Sequence, residues 1–190
     1  MTMRLAHLVS LLCAGLFAGF LVAVLVLENS LRSYGAPVYT QVRQVELDGL
    51  DKLAAATLIP ATAATLLLVV LAFRARARAR WLALAALVLM AVVLVVTVSV
   101  NLPINSEQLD WSVRTPPADW ADERDRWQLA HVVRTVAALA AFALLATAMT
   151  RRGTGEGHGT AVRGGPAVRR ETAAQRDTAA RTALQRWPSG

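Results

Sequence analysis

Four runs of hydrocarbon side chains, at about 5–27, 53–73, 81–100 and 127–150, alternate along the chain with short polar stretches. Each run is close to the roughly 20 residues that a helix rising 1.5 Å per residue needs to cross about 30 Å of hydrocarbon. The pattern predicts an all-α, four-helix transmembrane bundle over residues 1–150. It predicts a disordered basic tail over 151–190, where Gly, Arg, Thr and Ala leave too little apolar surface for a core. The first run is longer than a secretory leader and meets no small-residue cleavage region before Glu28, so it is expected to remain as a span. Within it Gly15 and Gly19 stand four apart, a spacing that allows another helix backbone to come close.

The polar connections have patterns of their own. Tyr34-Gly35-Ala36-Pro37 marks a turn. Val38, Val42, Val45, Leu47 and Leu50 are then interleaved with Gln41, Arg43, Glu46, Asp48 and Asp51. This predicts an amphipathic helix lying at the membrane interface, its nearly balanced charges forming a solvated face. Pro60 is expected to kink the second span, and Pro103 to keep the third from continuing regularly. The apolar face over 169–187 is thin, enough at most for a helix on an anionic membrane surface.

Composition fits this picture. The chain is 55% hydrophobic with a mean hydropathy of +0.44, yet carries a net charge of +7 and a pI near 11.1. Such values coexist when charge and hydrocarbon are segregated. The arginines border the apolar runs or lie in the tail, which points to membrane lipids as their partners and away from nucleic acid. Arg74-Ala75-Arg76-Ala77-Arg78-Ala79-Arg80 predicts a cytoplasmic loop by the positive-inside rule. With four spans, both termini are then cytoplasmic and the acidic connections lie outside a cell membrane. The single cysteine, Cys13, excludes an intramolecular disulfide and any zinc site built on several thiolates, and is expected as a small packing residue.

An ionisable group inside a span costs on the order of 2.5–3.5 kcal/mol, so those that persist have a partner or a task. Trp127, His131 and Arg134 are spaced four and three apart, on one face of the fourth span. Glu28 and Asn29 close the first span, and Asn101 and Asn105 flank Pro103 at the end of the third. An antiparallel bundle brings these ends to one level, predicting a polar pocket lined by Glu28, Asn29, Asn101, Asn105, Trp127, His131 and Arg134. There an imidazole exchanges a proton near neutral pH, a guanidinium holds an oxyanion, and carboxamides both donate and accept. A purely structural reading stands beside it: Glu28 neutralises Arg134, the asparagines cap the third helix, and His131 bonds across to a neighbour. A metal site is not expected, because His7 and His131 belong to opposite ends of the bundle. Nucleotide-binding loops and nucleophile constellations are not found in the sequence.

Asn101, Pro103, Ile104 and Asn105 closing the third span, followed by a Trp-containing acidic loop and then Arg124, Trp127, His131 and Arg134, resemble the DUF1772 or anthrone oxygenase-like family of small membrane proteins. The resemblance spans about 5–150. It implies an oxygenase that turns an anthrone into an anthraquinone with molecular oxygen and no cofactor, neither flavin nor metal, on a small aromatic substrate. It carries no assignment of catalytic residues, so the roles of His131 as base and of Arg134, Asn101 and Asn105 around an oxyanion rest on side-chain chemistry. The alternative is a non-catalytic membrane protein, a small transporter component or partner-binding subunit, whose polar cluster serves packing.

Overall fold

The computed structural model describes the backbone of residues 3–156 and the side chains of 3–150. Its helices are α1 (Met3–Leu31), α2 (Ala36–Arg74), α3 (Arg80–Val96), a π-helical turn (Thr97–Asn101), α4 (Leu102–Leu109) and α5 (Trp120–Glu156). Four helical stretches are long and apolar enough to cross a membrane: Met3–Leu31, Ala36–Arg74, Arg80–Leu109 and Trp120–Thr150. The fold is thus the four-span α-helical bundle that the apolar runs predict. The backbone of α5 continues through Glu156, into the segment assigned to the tail. The rest of that tail, including 169–187, lies outside the described residues.

Packing follows the rule for helices in hydrocarbon, where small side chains go between helices and branched ones go outward. Ala6, Ala14, Ala18, Ala61, Ala83, Ala86, Ala138 and Ala141 fill the centre with Phe17, Leu21, Leu68, Met90 and Leu145. Leu12, Leu16, Ile59, Val95 and Val136 point out. Contacts across the bundle run in opposite directions along neighbouring helices. Between α1 and α5, His7 meets the carbonyl of Leu145 and Gln128 meets that of Glu28; between α1 and α2, Ser10 reaches the carbonyl of Ala64 while Glu28 meets Arg43.

Three expectations are revised. The stretch after Pro37 is no separate interfacial helix: it is continuous with the second span in one helix of 39 residues, about 58 Å long at 1.5 Å per residue. Nor are all its charges solvated. Val38 and Val45 are exposed while Arg43 and Glu46 are buried, because the bundle interior supplies counter-charges and hydrogen bonds that its apolar exterior lacks. Finally, the third span runs past its expected end near residue 100 to Leu109, while the irregularity expected at Pro103 is present. The chain opens into a π-turn just before it, with the Leu102 N–H bonded to the Thr97 carbonyl five residues back. This turn takes up the irregularity that a ring without an N–H imposes, and helix resumes to Leu109.

Candidate functional site

Arg43 is the hub of the polar end. Its neighbours on one face of α2 are Tyr39 one turn before and Glu46 nearly one turn after, and all three are buried. Nη1 donates to Glu28 Oε1 of α1 (2.6 Å) and to Glu46 Oε2 (3.0 Å). Nε donates to Gln108 Oε1 (3.0 Å) and Nη2 to Asn105 Oδ1 (3.1 Å), both on α4. The guanidinium also lies 4.2 Å from the centre of the Trp127 ring on α5. One side chain thereby ties α1, α2, α4 and α5 together through charge-assisted bonds and a cation–π contact.

Asn105 is engaged at both ends of its carboxamide. Its oxygen accepts from Arg43 and from Trp127 Nε1 (2.6 Å), and its nitrogen donates to Asp51 Oδ1 (2.9 Å). That pattern fixes the amide's orientation. Asn101 donates from Nδ2 to the Trp127 carbonyl (3.4 Å). Both asparagines therefore hold Trp127, one by its ring and one by its backbone. The Trp127 indole in turn stacks on His131, with ring centres 4.9 Å apart and planes within 8°.

His131 is buried, and its Nε2 lies 3.0 Å from the Leu21 carbonyl. A carbonyl only accepts, so Nε2 carries the proton, and in the neutral ring Nδ1 is the basic nitrogen. No described residue bonds that Nδ1. One turn deeper, Arg134 is 5% exposed and its Nε is likewise unbonded by any described residue. No described carboxylate forms an ion pair with it. A buried guanidinium without a direct counter-ion is costly, and the cost is relieved when an anion arrives.

His131 and Arg134 share the wall of a cavity with Arg43, Glu46, Asp51, Asn105 and Trp127. The opposite wall is apolar, formed by Phe20, Val24, Leu47, Leu50 and Ala54. The cavity measures about 30 Å³. Its more exposed members, Phe20, Leu50, Asp51 and Ala54, lie along the seam between α1 and α2.

Of the residues singled out by sequence, Asn105, Trp127, His131 and Arg134 line this cavity, Asn101 supports it through Trp127, and Glu28 stands behind it against Arg43. Asn29 is exposed and lines a different groove of about 220 Å³ with Leu25, Arg32, Asp125, Gln128, Leu129 and Val132. Glu28 pairs with Arg43, and the envisaged pairing with Arg134 is not made. Sequence reasoning missed Arg43, Glu46, Asp51 and Gln108. The signal for the first two was present: Tyr39, Arg43 and Glu46 recur at helical spacing on a face distinct from that of Val38 and Val45, close to a span that ends in Glu28. Among the described residues no cluster of His, Cys, Asp and Glu is arranged to hold a metal ion.

Four helices long and apolar enough to cross a membrane define a multi-pass membrane protein. The family model for anthrone oxygenase matches residues 52–144, just under half of the chain, and supports an anthrone oxygenase-like family, of which DUF1772 is another name. The match contains Asn101, Asn105, Trp127, His131 and Arg134, and starts after Arg43, Glu46 and Asp51. No curated protein and no solved structure matches the chain.

Proposed function

We propose that the protein is a cofactor-independent oxygenase that oxidises an anthrone-like substrate with molecular oxygen. The observation carrying this reading is that His131 and Arg134 face one buried cavity with Nδ1 and Nε unbonded by any described residue. A base and a cation in a water-poor site are the two groups that carbanion chemistry requires. The family match supports the same class of reaction.

In the proposed sequence, His131 Nδ1 removes a proton from the substrate's methylene carbon at the mouth of the cavity, the charge spreads over the rings to the carbonyl oxygen, and Arg134 stabilises the negative charge once it passes to dioxygen. The anion gives an electron to dioxygen, and the radical pair combines to form a carbon–oxygen bond. The resulting peroxide takes the proton back from His131. Loss of the second methylene proton cleaves the oxygen–oxygen bond and leaves a quinone carbonyl. One atom of dioxygen stays in the product, and the other departs as water with both hydrogens. Trp127, held by Arg43, Asn105 and Asn101, keeps the imidazole plane fixed during these transfers.

A cavity of about 30 Å³ holds a water-sized guest and no three-ring system. The aromatic body therefore rests at the seam between α1 and α2, where Phe20, Leu50 and Ala54 are partly exposed and a hydrophobic molecule arrives from the bilayer. The test is oxygen-dependent conversion of an anthrone to its quinone by purified protein, lost in folded His131→Ala and Arg134→Ala variants. Equal rates in all three proteins would replace this reading with a non-catalytic membrane protein, which the engaged donors of Arg43 favour for that half of the cluster.

The orientation that the arginines of 74–80 support puts this loop and both termini in the cytoplasm and the cavity toward the outer face of the cell membrane. An Arg78→Cys variant should then resist an impermeant thiol reagent in intact cells; labelling from outside would reverse the topology.

A further inference from the structure

A volume near that of one small molecule, lined partly by hydrocarbon and partly by a base, two guanidinium groups and two carboxylates, suits one reactant of an oxygenase better than the other. We propose that the space between Val24, Leu47 and Ala54 on one side and His131 and Arg134 on the other is the dioxygen site. The aromatic rings stay outside it, at the α1–α2 seam, with the reacting methylene turned toward its mouth. This inference rests on the oxygenase reading and adds to it a place for the gas.

The chemistry of the walls supports the assignment. Dioxygen is apolar and little larger than water, so it partitions into a hydrocarbon-lined space of this size, which the Val24, Leu47 and Ala54 side provides. Once reduced by one electron it is an anion, and Arg134 is then the neighbouring cation that carries no ion pair with a described residue. Once bonded to carbon it is a peroxide anion that needs a proton, and the proton taken from carbon is held at His131, which lines the same cavity. Oxygen thus enters as a neutral molecule and becomes charged beside Arg134, while the lining carboxylates Glu46 and Asp51 are engaged by Arg43 and Asn105.

Two measurements test the site. Val24→Leu adds one methylene to the cavity wall and leaves His131 and Arg134 untouched. The expected result is a KM for oxygen raised about fivefold or more, with the KM for the anthrone and kcat at saturating oxygen within about twofold. A rise confined to the anthrone KM would put the ring in the cavity and overturn the proposal, as would no change in either constant. The second measurement needs no turnover: methyl relaxation of the wild-type protein under oxygen pressure. Val24 and Leu47, 7% and 6% exposed, should relax faster than Leu58 and Val69 in the packed core, 5% and 8% exposed. Equal rates would remove the site whatever the enzyme does. Enhanced relaxation in a protein that forms no quinone would keep the site and remove the oxygenase reading.

Discussion

The bundle holds a buried histidine toward each end, and their local bonds look alike. His7 Nε2 on α1 lies 2.9 Å from the Leu145 carbonyl of α5, and His131 Nε2 on α5 lies 3.0 Å from the Leu21 carbonyl of α1. Around them the two ends differ. His7 sits in the alanine-rich part, where Ala6 and Leu145 are core residues and Ser10 bonds the carbonyls of Ala6 and Ala64. His131 stacks on an indole that also carries a guanidinium, and shares a cavity with a second guanidinium and two carboxylates. A cross-helix imidazole bond therefore says nothing about chemistry by itself. What marks His131 is the small cavity it lines, together with two guanidinium groups and two carboxylates.

The sharpest way to break this comparison is to exchange the losses. His131→Ala and Arg134→Ala should each lower anthrone turnover by about a hundredfold or more, as expected when a base or an oxyanion partner is removed. His7→Ala should stay within a few-fold of wild type once folding is confirmed by circular dichroism, and a matching collapse there would erase the distinction. Next in size is the stability of the polar end. Arg43→Ala leaves Glu28 and Glu46 buried without their cation and should cost about 3–5 kcal/mol, seen as a large drop in the thermal unfolding midpoint in detergent. Adding Glu28→Gln and Glu46→Gln to that variant should restore part of the loss. If it restores none, the ion pairs are not what holds the end together.

A smaller effect is expected at Trp127→Phe, which removes the bond from Nε1 to Asn105 and leaves an aromatic ring against His131. The stability cost should be about 1 kcal/mol. Turnover should fall more than binding, because the plane of the base is loosened. The smallest contrast compares two glycines of α1. A Cβ at Gly15 would stand 3.0 Å from the Phe142 ring, while one at Gly19 would meet nothing within 4 Å. Gly15→Ala should therefore lower the unfolding midpoint measurably, and Gly19→Ala should leave it within about 0.5 kcal/mol of wild type.

The spans were legible in the sequence because hydrocarbon demands long uninterrupted apolar runs, and His131 and Arg134 because they interrupt one. Arg43 was not, although it is the centre of the arrangement. In a stretch where Val38, Val42 and Val45 alternate with charges, the usual assumption sends the charges to water. That assumption fails where the exterior is apolar and a carboxylate such as Glu28 already lies inside. Gln108 and Asp51 were hidden for a related reason. The first lies beyond the expected end of the third span, past a proline expected to keep the helix from continuing regularly, and the second belongs to a segment expected to lie at the membrane interface.

The pairing of Glu28 with Arg43 also bears on how the chain reaches the bilayer. These two residues lie on α1 and α2, only 15 positions apart in sequence, so that helical hairpin can enter the lipid already electrically discharged. Arg134, on α5, enters with no ion-pair partner among the described residues, and its counter-charge is left to a visitor.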